Sequence, residues 1–416
     1  MEYLTYNNLL SNAQHGFIYG RSTLTQQLNL LNNLTLNFDQ KIHTDTVYLD
    51  LSKAFDRVSH QKLIHVLQFF QIDSQIILWL RDYLSGRKQK TIVEGCYSEY
   101  QTITSGVPQG SVLGPLLFLL YVEDLLRTII LKCPTVKLFS FADDIKILGT
   151  QQVELQKALD IVNTWTKKWQ LEVNPVKSEL FTVDRNPLSN NNTYHFNGNI
   201  INKIDTVRDL GILLSSNLEW KNNIQNIKSK ANRLSHIIVR LFKTKDLNTY
   251  TAAYKTYIRP ILEYNVSIWS PHKIGETRLA EQVQKTYTRI VCKKLNIKYN
   301  NYEHRLKLLN INSLEYRRVK FDLILVYKII NNLIDLNFET FFALSNYGSV
   351  YQLRRHRFSL KNPSTANTST RNNFFSYRIV NTWNKLPNYI VSAKTLGNFK
   401  HCLDKYDLSK IHKFVF

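Results

Sequence analysis

The chain has 416 residues, 44% of them hydrophobic and 12% aromatic, which is too long for one small core and too apolar for a disordered chain. Lysine and arginine total 54 against 32 acidic residues, and the formal charge of +22 draws phosphate backbones through Coulomb attraction and counterion release, so nucleic acid is the leading partner class. Four scattered cysteines without a C-x-x-C pair argue against a zinc knuckle or a disulfide framework; the lack of a signal-peptide pattern, or of an apolar run near the roughly 20 residues of a membrane span, favours an intracellular protein of cytoplasm or nucleus with no membrane partner.

Gly16 to Arg21 is a glycine-punctuated turn region, after which Leu24, Leu28 and Leu31 recur at helical spacing. Thr46 to Leu51 is a short β-prone run with Asp50 near its C-terminal end, and Leu63, Val66, Leu67 and Phe70 mark the inner face of a helix. Thr91 to Val93 and Gln101 to Thr104 read as strands, followed by a turn from Ser105 to Gly110 and an apolar helix from Ser111 to Leu126. Val136 to Ser140 and Ile145 to Leu148 flank Phe141-Ala142-Asp143-Asp144 at the spacing of a tight hairpin, with two carboxylates at its tip. Helical spacing returns from Leu155 to Trp169, Asn174-Pro175 breaks it, and Ser178 to Val183 resumes as strand.

Pro187 to Asn199 is a polar loop, and Val207 to Leu214 is predicted as one strand containing Gly211. Beyond Trp220 the pattern turns helical with basic polar faces, as in Lys221 to Lys245 and Arg278 to Lys298. Leu353 to Phe358 is a compact basic cluster, and Asn362 to Asn373 is a polar connector. The whole predicts an α+β sheet domain followed by a basic helical module.

Phosphoryl transfer from a nucleoside triphosphate needs its charged oxygens neutralised and its nucleophile held in line, which two metal ions about 3.5–4 Å apart accomplish. Magnesium is a hard ion that takes carboxylates and leaves its other positions to water and phosphate. One aspartate at a strand end plus an adjacent pair at a hairpin tip suits that site, and Asp50, Asp143 and Asp144 match it. An Asp-Asp pair alone is weak evidence, because aspartate is common in turns for its local hydrogen bonds.

Order along the chain changes those odds. Tyr48-Leu49-Asp50-Leu51-Ser52-Lys53-Ala54-Phe55-Asp56, then Gly106-Val107-Pro108-Gln109-Gly110-Ser111-Val112-Leu113-Gly114-Pro115, then Phe141-Ala142-Asp143-Asp144 resemble motifs A, B and C of reverse transcriptases, with wording similar to the jockey-like non-LTR retrotransposon enzymes. Gln14-His15-Gly16-Phe17 through Gly20-Arg21-Ser22-Thr23 looks like the family's fingers segment. Asn174-Pro175 with Lys177-Ser178-Glu179 looks like motif D, and Asp209-Leu210-Gly211-Ile212 like the motif E primer grip. Leu314-Glu315-Tyr316-Arg317-Arg318, and Asn373-Phe374-Phe375 through Trp383-Asn384-Lys385-Leu386-Pro387, are similar to the segment after the thumb, so the resemblance covers nearly the whole chain.

That resemblance implies an RNA-directed DNA polymerase shaped as a right hand: fingers and palm over 1–214, a helical thumb over 215–300, and a basic, mainly helical C-terminal extension over 301–416. It implies magnesium, with manganese as the alternative, on Asp50, Asp143 and Asp144, the third supporting the site less directly. Phe55 matches the steric gate that favours deoxynucleotides, although a phenylalanine beside a strand is also an ordinary core residue. Gln109 and Gly110 would touch the incoming nucleotide or template base, Lys177 could protonate the leaving pyrophosphate, and Leu210 and Gly211 would lay backbone against the primer end. The partners implied are RNA template, DNA primer, RNA–DNA hybrid and deoxynucleoside triphosphates. The Arg354-Arg355-His356-Arg357 cluster, flanked by Tyr351 and Phe358, fits single-stranded RNA, a solvated loop or a localisation signal equally.

The match begins inside the fingers, so this sequence is expected to be an N-terminally truncated copy without the family's endonuclease domain. Arg21 is the fingers arginine available to serve a phosphate. Phe141 stands where the family more often has tyrosine, and Glu123 where an uncharged polar residue is usual. Three readings stay open: a working RNA-directed DNA polymerase; a catalytically silent nucleic-acid-binding remnant; and an RNA-dependent RNA polymerase, which would need a small residue where Phe55 stands.

Overall fold

The structure is a computed structural model and describes residues 2–7, 9–186, 192–345 and 356–415. It is mixed α/β and forms two compact units, one of residues 1–26 and 41–207, the other of residues 27–40 and 208–416.

The first unit is built on a five-stranded sheet. Its elements follow a short helix α1 (Glu2–Tyr6) and the start of α2 (Thr23–Asp39), and run β1 (Thr44–Asp50), α3 (His60–Phe69), α4 (Ser74–Leu84), the two-residue strands β2 (Lys88–Gln89), β3 (Ile92–Val93), β4 (Cys96–Tyr97) and β5 (Gln101–Thr102), and α5 (Leu113–Lys132). They continue with β6 (Lys137–Phe141), β7 (Asp144–Gly149), α6 (Gln152–Trp169), β8 (Glu179–Val183), β9 (His195–Phe196), β10 (Asn199–Ile200) and β11 (Asn202–Ile204). The sheet order is β11-β8-β1-β7-β6, antiparallel except for the β11–β8 pair.

Period-two alternation puts Val47 and Leu49 of β1, Ile145 and Ile147 of β7, and Leu180 of β8 on one face, where they join one apolar core with α3, α4, α5 and α6. α5 is the centre of that core. Leu117, Phe118, Leu120, Tyr121, Val122, Leu125, Leu126 and Ile129 are all buried, so the helix is apolar nearly all round, as a helix covered on every side must be. It extends six residues beyond the predicted end at Leu126.

At the end of β1 remote from Asp50, buried Asp45 accepts hydrogen bonds from Thr182 Oγ1 (2.7 Å), Tyr194 OH (2.8 Å) and Asn192 Nδ2 (2.9 Å), and lies 2.9 Å from His43 Nε2. Burial by itself would lower the basicity of His43, but its hydrogen bonds to Asp184 and Asp45 overcome that and raise it. A satisfied polar cluster therefore pins β1 and β8 together where apolar packing gives out.

The second unit takes the later part of α2 and, from Arg208 within β12 (Thr206–Asp209), continues with β13 (Ile212–Ser215), α7 (Lys221–Leu241), α8 (Leu247–Ala253), a π-helical turn (Tyr254–Ile258), α9 (Arg259–Glu263), α10 (Val266–Trp269), α11 (Ile274–Lys294), α12 (Tyr302–Leu308) and α13 (Leu314–Ile330). Ala231, Ile238, Tyr250, Tyr254, Val283, Tyr287 and Val291 share its core. The later half of α2 is held by chain from the C-terminal third: Asp39 Oδ1 accepts from Thr368 N (2.7 Å) and Oγ1 (2.8 Å), while Arg371 Nη1 donates to Asn32 Oδ1 (2.9 Å) and Thr35 Oγ1 (2.8 Å). These bonds make α2 change unit after Gln26, so the packing units cut the chain differently from the segments 1–214, 215–300 and 301–416.

One predicted element is corrected. Val207 to Leu214 is not one strand but the hairpin β12–β13, because Leu210 (φ +42°) and Gly211 (φ +87°) both adopt left-handed backbone and turn the chain back. Of the basic cluster, Tyr351, Arg354 and Arg355 lie outside the described residues, as does part of the polar loop, 187–191. His356 is buried, with Nε2 3.1 Å from Trp383 O, and packs into the fold. Among the described residues no helix is long and apolar enough to cross a membrane.

Candidate active site

Asp50 is the last residue of β1, and register places it directly opposite Asp144, the first residue of β7. Phe141 pairs with Asp144 across β6–β7, which leaves Ala142 and Asp143 as a two-residue hairpin loop. Ala142 has φ +55°, the positive φ that such loops demand of their first central residue. Burial pushes the Asp143 carboxyl above the ordinary carboxylate range, and the charge of Asp50 pushes it further the same way. Asp50 and Asp143 thus form a like-charged pair at the ends of adjacent strands.

The chain that follows α6 returns beside β1. Leu51 bridges Val173, Ser52 N donates to Glu172 O (2.7 Å), and Asn174 N donates to Asp50 O (2.8 Å). Asn174 Oδ1 then accepts from Val176 N (3.1 Å) and Lys177 N (3.4 Å), a local turn that brings Lys177 Nζ within 3.8 Å of Asp50 Oδ2. The lysine side chain is 68% exposed, so this pair adds little to stability and leaves the ammonium available at the carboxylates.

Phe55 is half-buried and stacks on Phe118 of α5, centroids 4.3 Å apart and planes 22° from parallel, which fixes its ring. The turn before α5 is laced to the same segment. Val107 N donates to Phe55 O (2.9 Å), Gly106 N to Val58 O (2.8 Å), Ser105 Oγ to Asp56 O (2.9 Å), and Gln109 Nε2 to Asp56 Oδ1 (2.8 Å). Gln109 and Gly110 stand exposed on that turn.

Leu210 and Gly211 belong to the second unit, at the tip of β12–β13, where Tyr264 OH donates to Leu210 O (2.9 Å) and Gln27 Nε2 to Asp209 O (2.7 Å). Neither Tyr264 nor Gln27 carried a sequence signal. Arg21 is turned to backbone: its Nη1 donates to Ser11 O (2.7 Å) and Gln14 O (2.6 Å), and Nη2 to Asn12 Oδ1 (3.0 Å), so it holds the 11–14 segment. Glu123, the unusual acid of α5, is fully buried; its Oε1 accepts from Ser11 N (2.8 Å) and Arg127 Nε (3.1 Å), and burial pushes its carboxyl up to about 7.

A carboxylate whose proton affinity is raised by burial and by the charge of a second carboxylate nearby fits a hard divalent cation. Among the described residues no three His, Cys, Asp or Glu side chains converge into a cage that would hold a metal unaided.

Residues 1–225, more than half of the 416, match the family model described as reverse transcriptase (RNA-dependent DNA polymerase). The chain belongs to the reverse transcriptase family. Several of the proteins it resembles come from mobile elements. It is 30% identical over 289 residues to the probable RNA-directed DNA polymerase from transposon BS of Drosophila melanogaster, covering 64% of this chain and 31% of that one. It is 26% identical over 269 residues to the RNA-directed DNA polymerase from mobile element jockey of Drosophila funebris, covering 62% and 29%. This reverse transcriptase chain thus spans about a third of the length of the curated relatives it matches. Among solved structures, telomerase from Candida tropicalis in complex with a fragment of telomeric RNA aligns over 96% of this chain and 55% of that one, at 12% identity and a TM-score of 0.44. A likeness that loose adds nothing to the family match.

Proposed function

We propose that the chain is the RNA-directed DNA polymerase portion of a jockey-like non-LTR retrotransposon, adding deoxynucleotides to a primer on an RNA template by two-metal phosphoryl transfer. The observation that carries this reading is the register that sets Asp50 opposite Asp144 beside the Ala142-Asp143 turn, with Lys177 Nζ 3.8 Å from Asp50 Oδ2, in a chain of this family. A pair of bound magnesium ions supplies charge neutralisation at the triphosphate and alignment of the primer hydroxyl.

Asp50 and Asp143 hold those ions, with Asp144 in support from the position opposite Asp50. Lys177 gives its proton to the leaving pyrophosphate. Phe55, immobilised on Phe118, fills the space a ribose 2′-hydroxyl would need, and Gln109 and Gly110 face the nucleotide or template base. Leu210 and Gly211 offer their backbone to the primer end. Arg21 serves the site through the 11–14 segment that it holds. In these terms 1–214 is fingers and palm, 215–300 the thumb and 301–416 the extension, with the lysines and arginines of α7 and α11 following hybrid phosphates.

Primer extension on an RNA template with deoxynucleotides and magnesium tests the reading. The parent chain is expected to extend the primer and Asp50→Asn to give no product. Failure of both, with salt-sensitive RNA binding retained, would instead identify a silent binding remnant. In the same assay Phe55→Val is expected to lower discrimination against ribonucleotides by roughly 10–100-fold, the range a pocket commands over one added hydroxyl. A parent that prefers ribonucleotides would overturn the gate and point to an RNA polymerase.

A further inference from the structure

The hairpin that carries Asp143 contains a strained residue. Alanine at φ +55° is strained and persists only where its surroundings hold it. The surroundings here come from a segment more than 120 residues earlier. Gln14 is 1% exposed, and its side-chain Oε1 accepts from both Ala142 N (2.8 Å) and Gly16 N (2.7 Å). Its Nε2 donates to Ser140 Oγ (2.9 Å) and Ala142 O (3.2 Å), and Ser140 Oγ itself donates to Ala142 O (3.1 Å). Both donors and both acceptor positions of the amide are therefore used, and three of the four bonds end on Ser140 and Ala142, just ahead of Asp143.

We propose that Gln14 is a positioning residue for Asp143: its buried amide grips the backbone of Ala142 on both its N–H and its carbonyl and so fixes where the Asp143 carboxylate stands relative to Asp50. The inference rests on the polymerase reading above for its purpose, though not for its geometry.

Two further observations support it. Gly16 lies so close to the turn that a Cβ there would stand 2.6 Å from Ala142 N, a distance no real side chain tolerates, so the segment is fitted to the turn at two points. Attachment of the segment itself does not depend on the Gln14 side chain. His15 N donates to Ser140 O and Ser140 N to Ala13 O, each at 2.8 Å, while Arg21 holds Ser11 O and Gln14 O from the other side, and Glu123 holds Ser11 N. Removing the amide thus releases the turn and leaves the segment in place.

The test is Gln14→Met, nearly equal in volume and unable to make the four bonds, compared with the parent and with Val162→Ala, a buried substitution on α6 that weakens the fold away from the hairpin. Manganese binding followed by electron paramagnetic resonance, at a temperature where circular dichroism shows all three chains folded, reads the carboxylate geometry without requiring turnover. Gln14→Met is expected to weaken manganese affinity by about tenfold, the scale of one buried hydrogen bond left unmade, and Val162→Ala to leave it unchanged. In primer extension the magnesium needed for half-maximal rate should rise in parallel, with excess magnesium restoring much of the loss.

Affinity of Gln14→Met within about twofold of the parent would overturn the positioning role while leaving the polymerase reading intact. Weakened manganese binding in Gln14→Met, together with a parent that extends no primer, would do the reverse. A parent that binds no manganese would overturn both.

Discussion

Asp143→Asn is expected to abolish primer extension and, in metal-free buffer at neutral pH, to raise the thermal unfolding midpoint. The two effects have one cause. Burial and the nearby Asp50 charge raise the Asp143 carboxyl above its usual value, so the folded chain binds that proton more tightly than the unfolded chain does. Stability therefore falls as pH rises from the ordinary carboxylate range through the raised folded value, and the deficit is fully present above that value. Asparagine keeps the shape and removes the charge, so the deficit disappears.

Below the ordinary carboxylate range, where both states of the parent hold the proton, the two midpoints should converge. Magnesium reverses the order at neutral pH. At a concentration a hundredfold above its dissociation constant a bound ion stabilises its site by about 2.7 kcal/mol, a gain open to the parent and closed to the variant. Calorimetric scans of both chains, with and without magnesium, read all of this. A variant less stable than the parent in metal-free buffer would show that Asp143 serves the fold and not a cation.

Gly106→Ala is expected to destabilise the first unit strongly. Gly106 has φ +92°, and a Cβ there would meet Asp56 O at 2.7 Å and Asp56 Cα at 2.8 Å, both backbone atoms fixed by the bonds that lace the two segments together. The left-handed backbone costs an alanine about 1–3 kcal/mol, and the forced displacement of Asp56 adds about 1–3 kcal/mol more. Against a total stability of about 5–15 kcal/mol that is a large fraction.

Gly110 supplies the control, because it has φ +80° but nothing within 4 Å of the position an added methyl would take, so Gly110→Ala should cost only the backbone strain of about 1–3 kcal/mol, without the further cost of displacing Asp56. Urea unfolding separates the two. Equal losses would mean that Asp56 yields freely and that the lacing of Phe55 and Gln109 is looser than its hydrogen bonds indicate. Unequal losses should be accompanied, for Gly106→Ala, by weaker nucleotide selection, since Asp56 also receives the Gln109 amide.

Much of the first unit was legible because its signals are local. Alternating apolar residues in β1, β7 and β8, the helical repeat from Leu155 to Trp169, and the tight spacing around Ala142 and Asp143 are consequences of strand and helix geometry that short stretches of sequence carry in full. The same locality explains the error at Val207 to Leu214. Six of its eight residues suit a strand, and only the paired left-handed conformations at Leu210 and Gly211 reveal the turn. α4 also escaped notice, because only Ile77, Leu80 and Leu84 of its 11 residues are buried.

The sequence by itself determined the family and nominated the residues proposed to act in it, since both reside in residue identities and their order: the carboxylates at 50, 143 and 144, the ring at 55, the lysine at 177. Only the tertiary structure decided what supports them. That Gln14 grips Ala142, that Arg21 and Glu123 hold Gln14's own segment, that Asp56 receives Gln109, and that α2 changes unit halfway along are mostly contacts between residues tens to hundreds of positions apart. Such contacts leave no periodic trace. They are set by which buried polar groups must find partners once the apolar faces have closed, and that becomes defined only when the whole chain is packed.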